Sequence, residues 1–175
     1  MAEVLLLVDV QRNMLLPPEP VPDADSVGAA VTGLLARART AGVPVVHVRN
    51  NGGVGEPDET GTPGWALVHD VLAGEHVVDK FETDAFLGTS LADLVAEGAA
   101  IAVAGMQSEH CVRATTLGAL GRGYSVTLAA GAHATYDGAT TAAAISREVE
   151  RELASAGAHV VRHSEVTFGR ASARP

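Results

Sequence analysis

Residues 101–115 read IAVAGMQSEHCVRAT and place Cys111 close behind a short apolar run. The run Ala99–Ala104 has the length and composition of a buried strand. It stops at Gly105, and a helix-compatible segment begins near Ser108. The stretch therefore predicts a strand, a tight turn and a helix, with the only cysteine of the chain in the first turn of that helix.

A cysteine at this position lies where unpaired backbone N–H groups and the positive end of the helix dipole meet. Such surroundings are expected to lower the pKa of the Cys111 thiol below its free value of about 8.5, and they supply donors for an oxyanion. A nucleophile at a strand-to-helix turn is a recurring catalytic arrangement. A lone cysteine is also common as a small buried hydrophobic residue, so a catalytic role requires a base and an orienting group from elsewhere in the chain.

The composition is that of an ordinary globular protein. The chain has 175 residues, of which 47% are hydrophobic and 19% are charged, and we expect one domain over residues 1–175. The formal net charge of -9 argues against a nucleic-acid or anionic-membrane partner, so we expect a small-molecule substrate. One cysteine cannot form an internal disulfide, and neither a spanning segment nor a signal peptide is evident. These features predict a cytoplasmic protein.

Strand-like and helix-like segments alternate along the chain, which predicts a three-layer α/β/α sandwich with a mostly parallel sheet of about six strands. Besides the run before Cys111, the expected strands are Val4–Val8, Val43–Val48, His76–Lys80, Tyr124–Ala129 and Ala158–Val161. The expected helices are Asp25–Thr40, a short one at Trp65–Leu72, Ser90–Glu97 and Thr140–Ala156. Residues 50–64 are rich in Gly, Pro and acidic residues and read as a surface loop of the length expected for a lid or substrate loop; the tail after Phe168 reads as loose.

Three chemically useful side chains stand where strands end. Asp9 follows the first strand, Lys80 ends the third, and Cys111 follows the turn after the fourth. Ligands of parallel sheets bind beyond the carboxyl ends of the strands, so we expect the three to meet there. Taken singly, Asp9 reads equally well as a turn residue, and an ordinary surface lysine is the more common reading of Lys80. Together they form a base, a cation and a nucleophile.

These segments, in this order, resemble the signatures of the isochorismatase-like cysteine hydrolase superfamily. The resemblance extends from Val4 to about Val166 and is carried by Asp9-Val10-Gln11, Asp79-Lys80, residues 103–112, residues 61–65 and residues 86–91. It implies a catalytic triad of Asp9, Lys80 and Cys111. It also implies a cis peptide between Met106 and Gln107, with the N–H groups of Gln107 and Cys111 forming an oxyanion hole.

Four further side chains are candidate substrate-binding groups: Gln11, Trp65, Phe86 and Met106. Gln11 would serve equally well to hold a turn, Trp65 to anchor its loop in the core, and Phe86 to fill core and pocket in equal parts. Superfamily members that deaminate nicotinamide carry an Asp-x-His metal motif after the second strand, whereas residues 47–51 here read HVRNN. We therefore expect no metal and no cofactor, and nicotinamidase activity is disfavoured.

The function expected from these residues is a metal-independent cysteine amidohydrolase that cleaves a C–N bond of a small amide, ureide or lactam through a thioester on Cys111. An isochorismatase-type vinyl-ether hydrolase is the alternative enzyme, since it needs acid catalysis by Asp9 but no thiol. A non-catalytic binding or scaffold protein with the same fold is the third possibility. The resemblance further implies a homodimer or homotetramer.

Overall fold

The computed structural model describes residues 1–169 and contains a six-stranded sheet in which every neighbouring pair of strands is parallel. The strands are β1 (Val4–Val8), β2 (Val45–Asn50), β3 (His76–Lys80), β4 (Ala100–Met106), β5 (Ser125–Ala134) and β6 (His159–Arg162). Their order across the sheet is β3-β2-β1-β4-β5-β6. The central strands β1 and β4 are apolar on both faces, as strands covered by helices must be.

Helices cover both faces of this sheet. They are α1 (Arg12–Leu15), α2 (Ala24–Ala41), α3 (Leu91–Leu94), α4 (Arg113–Gly121) and α5 (Ala142–Ser155). One core cluster joins α2 to the face that carries Leu5 and Leu7, and a second joins residues of α3, α4 and α5 to the face that carries Leu6 and Val8. The predicted three-layer α/β/α sandwich is therefore confirmed.

The register of the strands brings the site-forming ends together. Val8, the last residue of β1, pairs with Val48 on one side and with Gly105 on the other. Asn50 pairs with Lys80 where β2 and β3 end. The segments that follow β1, β2, β3 and β4 consequently start at one edge of the sheet.

Several element boundaries differ from those predicted. The short helix expected at Trp65–Leu72 is absent, because this segment pairs with the chain after β1: Gln11 forms an antiparallel bridge with Leu67, and Val68 N–H donates to Val10 O. The helix expected at Ser90–Glu97 is confined to α3, one turn long. The fifth strand continues beyond its predicted end because a register shift after Val103 lets β5 pair with β4 again. Apart from Gly169, the tail after Phe168 lies outside the described residues.

None of the helices within residues 1–169 is both long enough and apolar enough to cross a lipid bilayer.

Candidate active site

Lys80 stands between the other two members of the predicted triad. Its Nζ lies 2.9 Å from Asp9 Oδ2 and 3.2 Å from Cys111 Sγ. Lys80 is 0% exposed and Asp9 is 2% exposed, so both charged groups are withdrawn from water. The sequence placed these three side chains at one sheet edge, and the structure brings them into direct contact.

The backbone at Asp9 has the left-handed conformation, with φ of 50°. Aspartate tolerates this conformation better than most residues, but it is uncommon outside glycine. The turn follows directly after β1 and aims the carboxylate at Lys80. Residues held in such conformations cluster at functional sites, where the surrounding structure compensates for the strain.

The turn that carries Cys111 is a π-helical segment, Ser108–Val112, which leads directly into α4. It follows a cis peptide bond between Met106 and Gln107. The Ser108 hydroxyl is fully buried and lies 2.8 Å from His133 Nδ1 and 3.0 Å from Ser146 Oγ. These contacts tie the start of the turn to β5 and α5.

A second hydrogen bond attaches the same turn to the end of β5. The Thr135 hydroxyl donates to Glu109 Oε1 at 2.8 Å. Together with the Ser108 contacts, it fixes both sides of the segment that precedes Cys111. The nucleophile candidate is therefore held by side-chain hydrogen bonds as well as by the backbone of its turn.

Burial dominates the electrostatics of the cluster. Burial and, after it, the negative charge of Asp9 raise the pKa of Cys111 to about 12 against the opposing charge of Lys80. Burial also raises the pKa of Asp9 against the opposing charge of Lys80. Burial alone would lower the pKa of Lys80, but the charges of Asp9 and Cys111 outweigh it and the pKa is raised. The expected lowering of the thiol pKa by the helix terminus is thus wrong for the free protein, because desolvation exceeds it.

Asn50 completes the cluster and was not identified from the sequence. Its Oδ1 accepts a hydrogen bond from Lys80 Nζ at 2.9 Å, and its Nδ2 donates to Asp58 Oδ2 at 2.7 Å. Gln11 holds Asn50 in place, since its Oε1 accepts from Asn50 N–H and its Nε2 donates to the carbonyls of Asn50 and Trp65. Asn50 ends β2 as Lys80 ends β3, and that position was the available signal.

A cavity of about 930 Å³ lies beside the cluster. Its wall includes Gln107, the residue that opens the Cys111 turn, and Asp58, the hydrogen-bond partner of Asn50. Residues that follow β1 and residues of the loop 51–64 supply most of the remaining wall, among them Met14, Glu19 and Glu56, and Tyr136 contributes from the segment after β5. Asp9, Lys80 and Cys111 do not line the cavity themselves, and Gln107 and Asp58 connect its wall to their surroundings.

The predicted substrate-binding side chains occupy different environments. Trp65 is partly buried, donates from Nε1 to Asn51 Oδ1 at 2.9 Å, and lies under the Arg49 guanidinium, 3.5 Å from the ring centroid. Phe86 stacks on Tyr124 in the core at 5.6 Å, and Met106 is fully buried in the opposite core cluster. None of the four predicted side chains lines the cavity: Gln11, Trp65, Phe86 and Met106 all lie outside its wall.

The segment that carries the metal motif in nicotinamide-deaminating members of this superfamily is committed to other contacts here. The side chains of Asn50 and Asn51 hydrogen-bond to protein groups, Asn50 to Lys80 and Asp58, and Asn51 to Trp65 and Thr60. Within residues 1–169, no group of three or more His, Cys, Asp or Glu side chains is arranged to hold a metal ion. The residues present therefore do not fit such a centre.

Comparisons with known proteins show the family and the fold of this chain. A model of the Isochorismatase domain matches residues 3–165. A streptothricin hydrolase from Streptomyces noursei is 44% identical over 168 residues; the match covers 94% of this chain, which spans about two thirds (66%) of that relative's length. An isochorismatase from Pseudomonas putida KT2440 superposes with a TM-score of 0.88 at 30% identity, covering 94% of this chain and 90% of the other. N-carbamoylsarcosine amidase from Thermoplasma acidophilum shares the fold, with a TM-score of 0.81 at 24% identity and coverage of 95% and 99%. The chain belongs to the isochorismatase family of hydrolases.

Proposed function

We propose that this chain is a cysteine amidohydrolase in which Asp9, Lys80 and Cys111 act together on a C–N bond of a small amide, ureide or lactam. The observation that carries the proposal is the position of Lys80 Nζ, within 3.2 Å of both the carboxylate and the sulfur. Gln107, which opens the Cys111 turn, lines the neighbouring cavity. A buried structural ion pair requires no thiol at this point, and a buried structural cysteine requires no ion pair.

In the first step, Asp9 accepts the Cys111 proton while the sulfur attacks the substrate carbonyl carbon and forms a C–S bond. The raised pKa of Asp9 suits it to hold that proton. Lys80 supplies a positive charge beside both the carboxylate and the developing thiolate. The N–H groups of Gln107 and Cys111 receive the oxyanion of the tetrahedral intermediate.

Collapse of this intermediate breaks the C–N bond, and Asp9 returns the proton to the departing nitrogen. The acyl group remains on Cys111 as a thioester. Asp9 then takes a proton from water, whose oxygen attacks the thioester carbonyl. The C–S bond breaks, the acid is released, and the proton returns to the thiol. Atoms and protons balance over the cycle, and one water is consumed for each C–N bond cleaved.

The substrate class follows from the cavity and from the relatives. A cavity of about 930 Å³ accepts a small molecule. The relative from Streptomyces noursei is named a streptothricin hydrolase, so streptothricin is the first compound to assay. A panel of small amides, carbamoyl compounds and lactams extends the assay to the remaining C–N substrates.

The decisive experiment compares the native chain with Cys111→Ala and Cys111→Ser, with amine or ammonia release as the readout. We expect both variants to keep the native circular dichroism spectrum and to lose at least about 10³-fold in turnover, as for other nucleophile replacements. Mass spectrometry of the quenched native enzyme is expected to show a substrate-derived acyl adduct on Cys111. Undiminished C–N hydrolysis by Cys111→Ala would contradict the proposal. Vinyl-ether hydrolysis that persists in Cys111→Ala would instead favour the isochorismatase-type reaction.

A further inference from the structure

Asp58 is a buried carboxylate without a cationic partner at the wall of the cavity. It is 8% exposed. No Lys, Arg or His within residues 1–169 forms an ion pair with it. Buried carboxylates are ordinarily paired, because removing a charge from water without compensation is costly. Something outside the described chain is therefore the natural counterpart of this group.

Only one oxygen of that carboxylate is used by the protein. Oδ2 accepts from Asn50 Nδ2 at 2.7 Å, whereas Oδ1 accepts no hydrogen bond from the described residues. Oδ1 lies against Gly52, where a Cβ would collide with it. Asp58 lines the cavity, so its carboxylate belongs to a wall that a ligand can reach.

The other charged side chains of the cavity wall are mostly negative as well. Glu19 and Glu56 also line the cavity, and Arg12 is the one basic side chain among its lining residues. Glu56 is exposed and its Oε2 accepts from Gly53 N–H, so it contributes charge at the mouth. A cavity with more carboxylates than cations attracts cationic ligands and repels anionic ones.

Asn50 places this carboxylate next to the reacting groups. Its side-chain amide bridges Asp58 on one side and Lys80 on the other, with hydrogen bonds of 2.7 Å and 2.9 Å. A molecule with its carbonyl at Cys111 and a donor at Asp58 need extend only a few bonds from the scissile carbonyl. The separation suits a small molecule with an amino group near the bond that is cleaved.

We propose that Asp58 is a specificity-determining residue that binds a protonated amine or amidine of the substrate, so that the enzyme prefers cationic amides, ureides or lactams to neutral ones. This inference rests on the proposed function for the identity of the reacting bond. The charge preference of the cavity is a property of the folded chain and is measurable without turnover.

The test uses Cys111, the only cysteine, as a reporter. Aminoethyl methanethiosulfonate is cationic, and hydroxyethyl methanethiosulfonate is its neutral counterpart of similar size. With either reagent the Cys111 sulfur attacks the divalent sulfur of the reagent and forms a mixed disulfide. Methanesulfinate leaves, and the Cys111 thiol proton passes to solvent. Each rate, followed by mass spectrometry at low ionic strength, is divided by the rate with free cysteine.

We expect the native chain to favour the cationic reagent by about tenfold, as one unpaired charge at close range would produce. Asp58→Asn keeps an acceptor for Asn50 and is expected to abolish most of that preference. Glu148→Gln is the matched control: it makes the same change in net charge at an exposed position of α5 and is expected to alter the preference less than about twofold. Thermal unfolding of all three proteins verifies that they are folded.

Three results would overturn the proposal. One is a preference that Asp58→Asn does not change. Another is an equal slowing of both reagents, which would mean that Asp58 acts through Asp9 or holds its loop. The third is failure of either reagent to modify Cys111.

Turnover provides a separate readout. The native enzyme is expected to favour α-amino-ε-caprolactam over ε-caprolactam in kcat/KM, and Asp58→Asn is expected to lose that preference mainly through KM. Reagent selectivity without any C–N hydrolysis would refute the proposed function and leave the role of Asp58 intact. Hydrolysis without charge selectivity would refute the role of Asp58 and leave the proposed function intact.

Discussion

The Lys80 ammonium lies 2.9 Å from the Asp9 carboxylate, with side-chain exposures of 0% and 3%. Desolvating two charges is costly, and their attraction compensates only when further hydrogen bonds satisfy the groups. Lys80 has these, because Nζ also donates to Asn50 Oδ1 and contacts Cys111 Sγ. Each charge of the pair therefore offsets the cost of burying the other.

Removal of Lys80 is the first test of this dependence. We expect Lys80→Met to lower the free energy of unfolding at neutral pH by about 3–5 kcal/mol, because Asp9 would remain buried without a counter-charge. Urea denaturation measures this change. The double variant Asp9→Asn, Lys80→Met is expected to cost less than the sum of the two single variants, since it leaves no orphaned charge.

An exposed ion pair supplies the control. Arg113 and Glu152 have side-chain exposures of 39% and 43%, and Arg113→Met is expected to cost less than about 1 kcal/mol. A Lys80→Met variant no less stable than Arg113→Met would mean that water or a rearranged side chain reaches Asp9. The buried contact between Asp9 and Lys80 would then not exist in solution.

The second prediction concerns the reactivity of the thiol. Because burial and the charge of Asp9 raise the pKa of Cys111 to about 12, the free enzyme should react with iodoacetamide at pH 7 at least about tenfold more slowly than free cysteine. Asp9→Asn removes the negative charge and leaves Lys80 beside the sulfur, so its alkylation should be faster than in the native chain. Its turnover should be slower, because Asp9 is the proposed base.

The same shift has a consequence for stability. A folded pKa above the unfolded one stabilises the protein below the unfolded value, and this contribution is lost as pH rises toward the folded value. The stability advantage of the native chain over Cys111→Ala should therefore decrease as pH rises above about 9. Urea denaturation of both proteins between pH 7 and pH 10 measures it. A constant difference, or slower alkylation in Asp9→Asn, would contradict the assigned direction.

The sheet edge was predictable from the sequence because its signals are local. An apolar run that ends in a charged residue marks the end of a buried strand, and parallel strands end at a common edge. That reasoning alone brought Asp9, Lys80 and Cys111 together. The contacts between them depend on register, which the sequence does not specify: Val8 lies opposite Gly105, and Asn50 opposite Lys80.

The remainder of the site depends on tertiary contacts that no local pattern encodes. Asp58 lies in a loop without hydrophobic periodicity, and its hydrogen bond from Asn50 connects it to the cluster. The sequence around Phe86 does not show whether its ring faces a pocket or the core. In the structure the ring stacks on Tyr124. The prediction of a lowered pKa for Cys111 was wrong for a related reason. The helix terminus is visible in the sequence, whereas the depth of burial is not.

The third prediction concerns the opposite end of β2. Glu75 accepts hydrogen bonds from Arg39 Nε and Nη2, from Leu72 N–H, and lies 3.0 Å from His47 Nε2. The hydrogen bonds from Arg39 are the largest cause that lowers the pKa of Glu75 to about 2. A carboxyl group with a depressed pKa contributes stability above its unfolded value, and that contribution is lost as pH falls through the folded one.

We therefore expect Glu75→Gln to be less stable than the native chain at pH 7 and the difference to shrink as pH falls from about 4.5 toward about 2. Urea denaturation over that range measures it. Glu148→Gln, on the exposed face of α5, is the control and should show little difference at any pH. A Glu75→Gln penalty that stays constant with pH would show that packing, not charge, is what the side chain contributes.

The fourth prediction tests the close approach of β1 and β4. Gly105 has φ of 129°, and a Cβ at this position would collide with the backbone carbonyl of Val8. Gly105→Ala should therefore cost about 3 kcal/mol or more, or prevent soluble expression, because neither backbone can move without breaking the central pairing. Gly121→Ala is the matched control: Gly121 ends α4, has no atom near its Cβ position, and its replacement should change the free energy of unfolding by less than about 1 kcal/mol.

Since Val8 precedes Asp9 and Gly105 precedes the turn of Cys111, a folded Gly105→Ala variant should also lose turnover as the carboxylate and the sulfur separate. A variant with native stability and native activity would mean that the two strands are further apart than the register requires.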